Sequence, residues 1–134
     1  MKLSRRQPSI INSCFYDSMF QRVVKLKKRN KHDRGIIEVV KRLESSSNDY
    51  SDVSHNLEYK IGNAVVGELD VIAYKNGKIV IVEFKSNNSY NLRLKAIKQL
   101  TRAKDYFSNY KVHTFYAYWD KHKIHYEKIN IRRY

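Results

Sequence analysis

The chain has 134 residues, 42% of them hydrophobic, and a formal net charge of +14 at pH 7. That length and apolar content are those of one folded domain with a single core. One cysteine excludes a disulfide framework and a cysteine-based zinc cluster, no apolar run has the length of a transmembrane helix or a signal-peptide core, and an intracellular location is the default expectation.

Residues 1–14 hold the one proline, Pro8, among Lys2, Arg5 and Arg6, and read as an irregular basic arm; residues 15–134 read as a single domain. Cys14 reads as a small packing residue. Residues 15–28 place Phe15, Met19, Phe20, Val23, Val24 and Leu26 at helical spacing. A polar break over 30–34 precedes a second helix, expected over 33–44 and burying Ile36, Ile37, Val40 and Leu43. The serine-rich stretch 45–49 is a loop by composition. A first strand is expected over 57–61, closed by Gly62-Asn63, and two more strands meet at Asn76-Gly77. The segment 92–107 sets Leu92, Ala96, Leu100, Ala103 and Phe107 on one stripe of a long helix. Residues 112–119 form an aromatic strand, and a turn leads to a last strand over 124–129. This order predicts an α/β fold, a central mixed sheet flanked by helices. The long helix serves as a crossover that makes the strand before it parallel to the strand after it.

The hairpin around Asn76-Gly77 carries the most chemistry. A type I′ turn needs positive φ at both central residues, which Asn-Gly supplies. The register then sets Lys75 opposite Lys78, Tyr74 opposite Ile79 and Ile72 opposite Ile81. Continued outward, it sets Asp70 opposite Glu83 and Glu68 opposite Lys85. Cross-strand partners share a face, as do residues two apart along a strand. Four ionisable groups therefore converge on one end of one face. Opposed carboxylates repel, and they persist when a cation sits between them; such oxygen ligands suit Mg²⁺ or Mn²⁺. With Lys85 beside them, the set meets the needs of phosphodiester hydrolysis: a polarised phosphate, a bound water of lowered pKa and a cation for developing negative charge. A merely solvated sheet end gives no reason for the coincidence with Lys85. An ordinary salt bridge accounts for Glu68 equally well, with Glu68 then positioning the lysine.

The basic residues cluster. Lys25, Lys27, Lys28, Arg29, Lys31 and Arg34 form one run, and Arg132 and Arg133 close the chain. A polyanion is the expected partner, and DNA the preferred one, because no segment pairs a basic face with a continuous apolar face as membrane binding requires. The run would grip backbone phosphates with little sequence preference and with strong salt dependence. Phe115, Tyr116, Tyr118 and Trp119 offer rings for base stacking, or for core packing on at least one face. His113 reads as a packed residue, and His122 and His125 as surface histidines without companion ligands.

Gly67-Glu68-Leu69-Asp70, then Glu83-Phe84-Lys85, then Gln99 on the following helix form a pattern that resembles the PD-(D/E)XK nuclease superfamily over roughly residues 57–119. The first motif resembles the Gly-Glu-x-Asp variant of that superfamily's Pro-Asp. Lys98-Gln99-Leu100 resembles the Gln-Leu motif of its RecB-like exonuclease branch, while the small basic chain is similar to archaeal and viral Holliday junction resolvases. The resemblance implies a restriction-endonuclease-like core of order α-β-β-β-α-β. It implies that Asp70 and Glu83 hold Mg²⁺ or Mn²⁺ with the Phe84 carbonyl, that Lys85 orients or activates the attacking water, and that Gln99 helps orient the site. It implies one more residue on the helix before the first strand. Gly35 followed by Glu38 is similar to the resolvase pattern and puts Glu38 first, although helical phase turns it away from Ile36, Val40 and Leu43. His32 matches the histidine of the RecB-like branch, and Asp33 stands next to it. Apart from the resemblance, Asp33 reads as a helix cap and His32 as a loop residue.

The expected function is a Mg²⁺- or Mn²⁺-dependent DNA endonuclease, structure-selective and acting as a homodimer whose two sites cut two strands. The alternatives are an exonuclease or single-strand nuclease of the RecB-like branch, a noncatalytic nucleic-acid-binding module, and a regulatory subunit for an acidic partner. An Asn-, Lys-, Ile- and Tyr-rich composition is compatible with an AT-rich coding genome such as that of a virus, which would place the protein inside a host cell.

Overall fold

The structure, a computed structural model, describes residues 30–45 and 50–131. The expected arm, the expected helix over 15–28, Lys25, Lys27, Lys28, Arg29, Arg132 and Arg133 lie outside them.

Helix α1 spans Lys31–Glu44. It starts earlier than the composition suggested, because Asn30 is its cap: the Asn30 side chain accepts the Asp33 N–H at 3.0 Å. Residues 30–34 are therefore a cap and first turn rather than a break, and Asp33 is the capped residue rather than the cap. Strands β1 (Asp52–Ile61), β2 (Ala64–Lys75) and β3 (Lys78–Lys85) follow, then helix α2 (Tyr90–Tyr106), β4 (Lys111–Asp120) and β5 (Lys123–Ile129). Ser89 caps α2, accepting the Leu92 N–H at 3.3 Å, which starts that helix two residues ahead of its apolar stripe. The strands lie in the order β1-β2-β3-β4-β5. β3 and β4 are parallel and the other neighbours antiparallel, so the fold is α/β with a five-stranded mixed sheet, as expected. Among the described residues no helix is long and apolar enough to cross a membrane.

β1 begins at Asp52, well before the expected 57. Its first half, Asp-Val-Ser-His-Asn, has no apolar alternation to announce it, yet it pairs with β2 from Asp52↔Tyr74 to His55↔Val71. Pairing along β2 supplies the backbone partners that composition does not reveal.

Two apolar layers sandwich the sheet. Ile36, Ile37, Val39 and Val40 of α1 pack on Val53, Val71, Ala73, Val80, Val82, Phe84 and Ala117. Ala96, Leu100 and Ala103 of α2 pack on Leu57, Leu69, Ile72, Ile79, Ile81 and Tyr116. Leu43, expected in the core, is half-buried at its edge. β3 is buried on both faces, which is why its sequence is a continuous apolar run rather than an alternating one.

One irregularity positions the site. Leu69 and Val71 are two residues apart on β2 and should share a face, but Leu69 packs under α2 and Val71 under α1. Leu57 and Val53 of β1 divide in the same way. The pleat is broken at Asp70 and at Asn56, whose φ of 50° is left-handed, a conformation that Asn tolerates better than most side chains. Beyond this bend the outer half of the β1–β2 ribbon folds against α2. Tyr59 meets the Tyr106 ring at 4.7 Å, and the Tyr106 hydroxyl donates to the Lys60 carbonyl at 3.0 Å.

Candidate metal and phosphate site

The β2–β3 ladder has the expected register, with Lys75↔Lys78, Tyr74↔Ile79 and Ile72↔Ile81. It ends at Val71↔Val82. The further pairs expected from it, Asp70 with Glu83 and Glu68 with Lys85, are not formed as ladder pairs, because β2 bends away at Asp70. Glu68 instead stands opposite Glu58 of β1, exposed and past the bend.

The fork between the strands is closed by a side chain. The Phe84 N–H, which would otherwise bond a β2 carbonyl, donates to Asp70 Oδ2 at 2.8 Å. Asp70 therefore reaches across the fork instead of standing off one face. Glu83 lies two residues after Ile81 and extends the α2 side of β3. It is 2% exposed and Asp70 9%, and the two carboxyls are close enough to influence each other's protonation. Burial, and then the charge of Asp70, holds Glu83 well above the usual carboxylate range. Burial also raises Asp70, against the opposing pull of the Phe84 N–H, His32 and Lys85. The pair thus holds protons more tightly than two separate carboxyls would. Lys85, two residues on, brings Nζ to 3.4 Å from Glu83 Oε2 with its side chain 15% exposed, so it stands at the mouth of the fork.

Helix α1 contributes from the opposite layer. In its first turn His32 sets Nε2 3.1 Å from the Phe84 carbonyl oxygen and 3.9 Å from Asp70 Oδ2. Its Nδ1 is 3.9 Å from Asp33 Oδ1. Three features hold this turn over the fork. The Trp119 indole N–H donates to the Lys31 carbonyl at 2.9 Å. The His32 and Phe84 rings meet edge-on at 5.6 Å. Gly35, one turn further, leaves room for the Phe84 ring: a Cβ there would stand 2.7 Å from Phe84 Cε1 and closer still to Cζ and Cε2.

Of the residues proposed from the sequence, the structure brings Asp70, Glu83, Lys85 and the Phe84 carbonyl together. It adds His32 from among the three helix alternatives. It does not bring Glu38 there. Glu38 is exposed, 3.9 Å from Lys41 Nζ, because the face of α1 that buries Ile36, Val39 and Val40 points the other way. Gln99 lies on α2 beside Leu100, with its Oε1 buried and without a hydrogen-bond partner among the described residues. Lys31 and Arg34, the described part of the basic run, are exposed on α1. His125 and His122 are exposed and His113 is half-buried. Sequence reasoning missed Trp119 and Gly35 as positioning residues. A Gly inside an amphipathic helix was the available signal, since it marks close approach of another group.

The donor set can be tested against a divalent cation. Ligands at about 2.1 Å around an octahedral ion stand about 3 Å from their neighbours. His32 Nε2 stands 3.1 Å from the Phe84 oxygen, which meets that spacing, and 3.9 Å from Asp70 Oδ2, which exceeds it. Among the described residues no group of three or more His, Cys, Asp or Glu side chains is arranged to hold a metal ion. An imidazole among oxygen donors suits Mn²⁺ better than Mg²⁺.

No family model matches the chain, and neither a curated protein nor a solved structure matches it.

Proposed function

We propose that this protein is a divalent-metal-dependent nuclease that hydrolyses phosphodiester bonds in nucleic acid, built on a restriction-endonuclease-like core. One observation carries the reading: two buried carboxyls, both raised by burial, a lysine, a histidine and a main-chain carbonyl meet at a fork in the sheet. Burying two acids against each other destabilises a fold, so a purely structural role for them is a poor explanation. The element order α1-β1-β2-β3-α2-β4 supports the reading, and the net charge of +14 suits a polyanionic substrate.

In this reading Asp70, Glu83, His32 and the Phe84 carbonyl would hold Mn²⁺ or Mg²⁺. When bound, that ion supplies Lewis acidity toward a phosphate oxygen and a more acidic water. Asp70 keeps its hydrogen bond from the Phe84 N–H and so fixes the width of the fork. Lys85 is held by Glu83 at the mouth, where its ammonium meets negative charge developing on the phosphate. Lys31 and Arg34 on α1 attract the backbone beside the fork.

The test is cleavage of labelled linear duplex, single-stranded, flap and four-way DNA and of RNA, with Mn²⁺, Mg²⁺ or EDTA. Lys85→Ala should retain nucleic-acid binding and lose about 10²–10³ in cleavage rate. A noncatalytic binding module would cut none of the substrates with any ion, and that result would end the proposal. Paired symmetric nicks confined to the four-way substrate would select a dimeric resolvase; shortening of linear ends would select an exonuclease.

A further inference from the structure

The strands beyond the fork place an aromatic row beside Lys85. Lys85 of β3 is in register with Tyr118 of β4, and Tyr118 with His125 of β5. One step inward, Glu83 is in register with Tyr116, and Tyr116 with Glu127. Tyr116 belongs to the apolar layer under α2 and Tyr118 packs against it, so the row runs along the same side of the sheet as Glu83 and Lys85. The rings follow one another closely: Tyr116 to Tyr118 is 5.2 Å at 38°, and Tyr118 to His125 is 5.1 Å at 39°.

The inner end of the row is rigid. Tyr116 is fully buried, its hydroxyl donates to Asn88 Oδ1 at 3.0 Å, and Arg93 lies 5.5 Å over its ring. Arg93 also grips both oxygens of Glu127 at 2.6 and 2.5 Å, which neutralises the carboxylate nearest the row. The outer end is open: Tyr118 is half-buried and His125 exposed. Beyond it the β4–β5 turn carries Lys121, His122 and Lys123, all exposed, with Asp120 as the acidic neighbour. Because β4 is parallel to β3, this basic turn lies at the same end of the sheet as Lys85.

Flat rings one strand from a phosphate-holding lysine, with cations past them, suit a nucleotide whose base is not stacked in a helix. The bases of continuous duplex are already stacked on each other and are not free to lie on such a face. We propose that Tyr118 and His125 are a stacking platform for an unpaired nucleotide adjoining the phosphate at the fork, so that the substrate is single-stranded nucleic acid or a strand with an unpaired end. This rests on the nuclease reading and narrows its substrate class.

The test is fluorescence anisotropy of the full chain in EDTA with labelled oligothymidylate and with a blunt duplex, and cleavage of both in Mn²⁺. Tyr118→Ala should weaken single-strand binding about tenfold and leave duplex binding within about twofold, while Tyr118→Phe keeps the affinity of the parent. His125→Ala, at an exposed position that cannot unfold the sheet, should weaken single-strand binding by a smaller factor. Equal losses on both substrates, no loss on the single strand, or a parent protein that prefers duplex would each overturn the proposal. Cleavage of the single strand that Tyr118→Ala leaves untouched sinks the platform and keeps the nuclease. Tyr118-dependent binding without cleavage under any ion sinks the nuclease and keeps the platform.

Discussion

Gly35→Ala is the most informative single change in α1. By helix propensity alone it should stabilise, by about 1 kcal/mol. The structure reverses that sign. The added Cβ would stand 2.7 Å from Phe84 Cε1, the most distant of the three ring atoms it meets. Carbon atoms pack at about 3.5–4.0 Å, so helix and ring must part by about 1 Å or more. Phe84 is fully buried and held by Trp119 at 6.2 Å, edge to face, so α1 is the part that yields. Overpacking of this kind costs about 1–3 kcal/mol, which outweighs the propensity gain. The same retreat carries His32 away from the Phe84 carbonyl, now 3.1 Å distant. The expected outcome is a melting temperature lower by several degrees and a weaker Mn²⁺-induced rise in it. Phe84→Leu combined with Gly35→Ala should recover part of both losses, because the two residues are in contact. A Gly35→Ala protein with unchanged melting temperature and unchanged Mn²⁺ response would show that α1 does not rest on Phe84, and the account of how His32 is placed would fall with it.

The acidic pair gives a prediction with a definite sign. Asp70 and Glu83 are both raised in the fold, so between the ordinary carboxylate pKa and the raised values the native state binds more protons than the unfolded chain. Stability without metal should therefore fall as pH rises through that window. Asp70→Asn keeps an acceptor for the Phe84 N–H while removing one charge; it should stabilise the metal-free protein at neutral pH by about 1 kcal/mol and flatten the pH dependence, both read by thermal melts in EDTA. A less stable variant with the same pH slope would refute the buried-charge argument. His32→Ala should reduce the stabilisation by Mn²⁺ in the same melts, whereas Glu38→Ala, on the exposed face of α1, should change neither stability nor Mn²⁺ response by more than about 0.5 kcal/mol. If Glu38→Ala has the larger effect on the metal response, the assignment of the helix residue is wrong.

Local pattern was enough for the mixed α/β sheet, the helix stripes and the Asn76-Gly77 register, because turn chemistry and apolar periodicity act between residues near one another in the chain. The same register argument overran at Asp70. Strand alternation assumes that the pleat continues, and the break appears only when the outer ribbon, past the left-handed Asn56, packs its Leu57, Tyr59 and Leu69 on α2. Asp70, Glu83 and Lys85 could be named from the sequence, but their meeting across a fork, with the Asp70 carboxylate taking a backbone N–H, could not. The helix residue was open for the same reason. Which of His32, Asp33 and Glu38 faces the sheet depends on the local Asn30 cap of α1 and on Gly35 admitting the Phe84 ring, and the second is settled by contacts between segments about 50 residues apart. Sequence determines what each segment prefers. Only the packing of one segment on another decides where a strand stops being regular, and the site is built at that point.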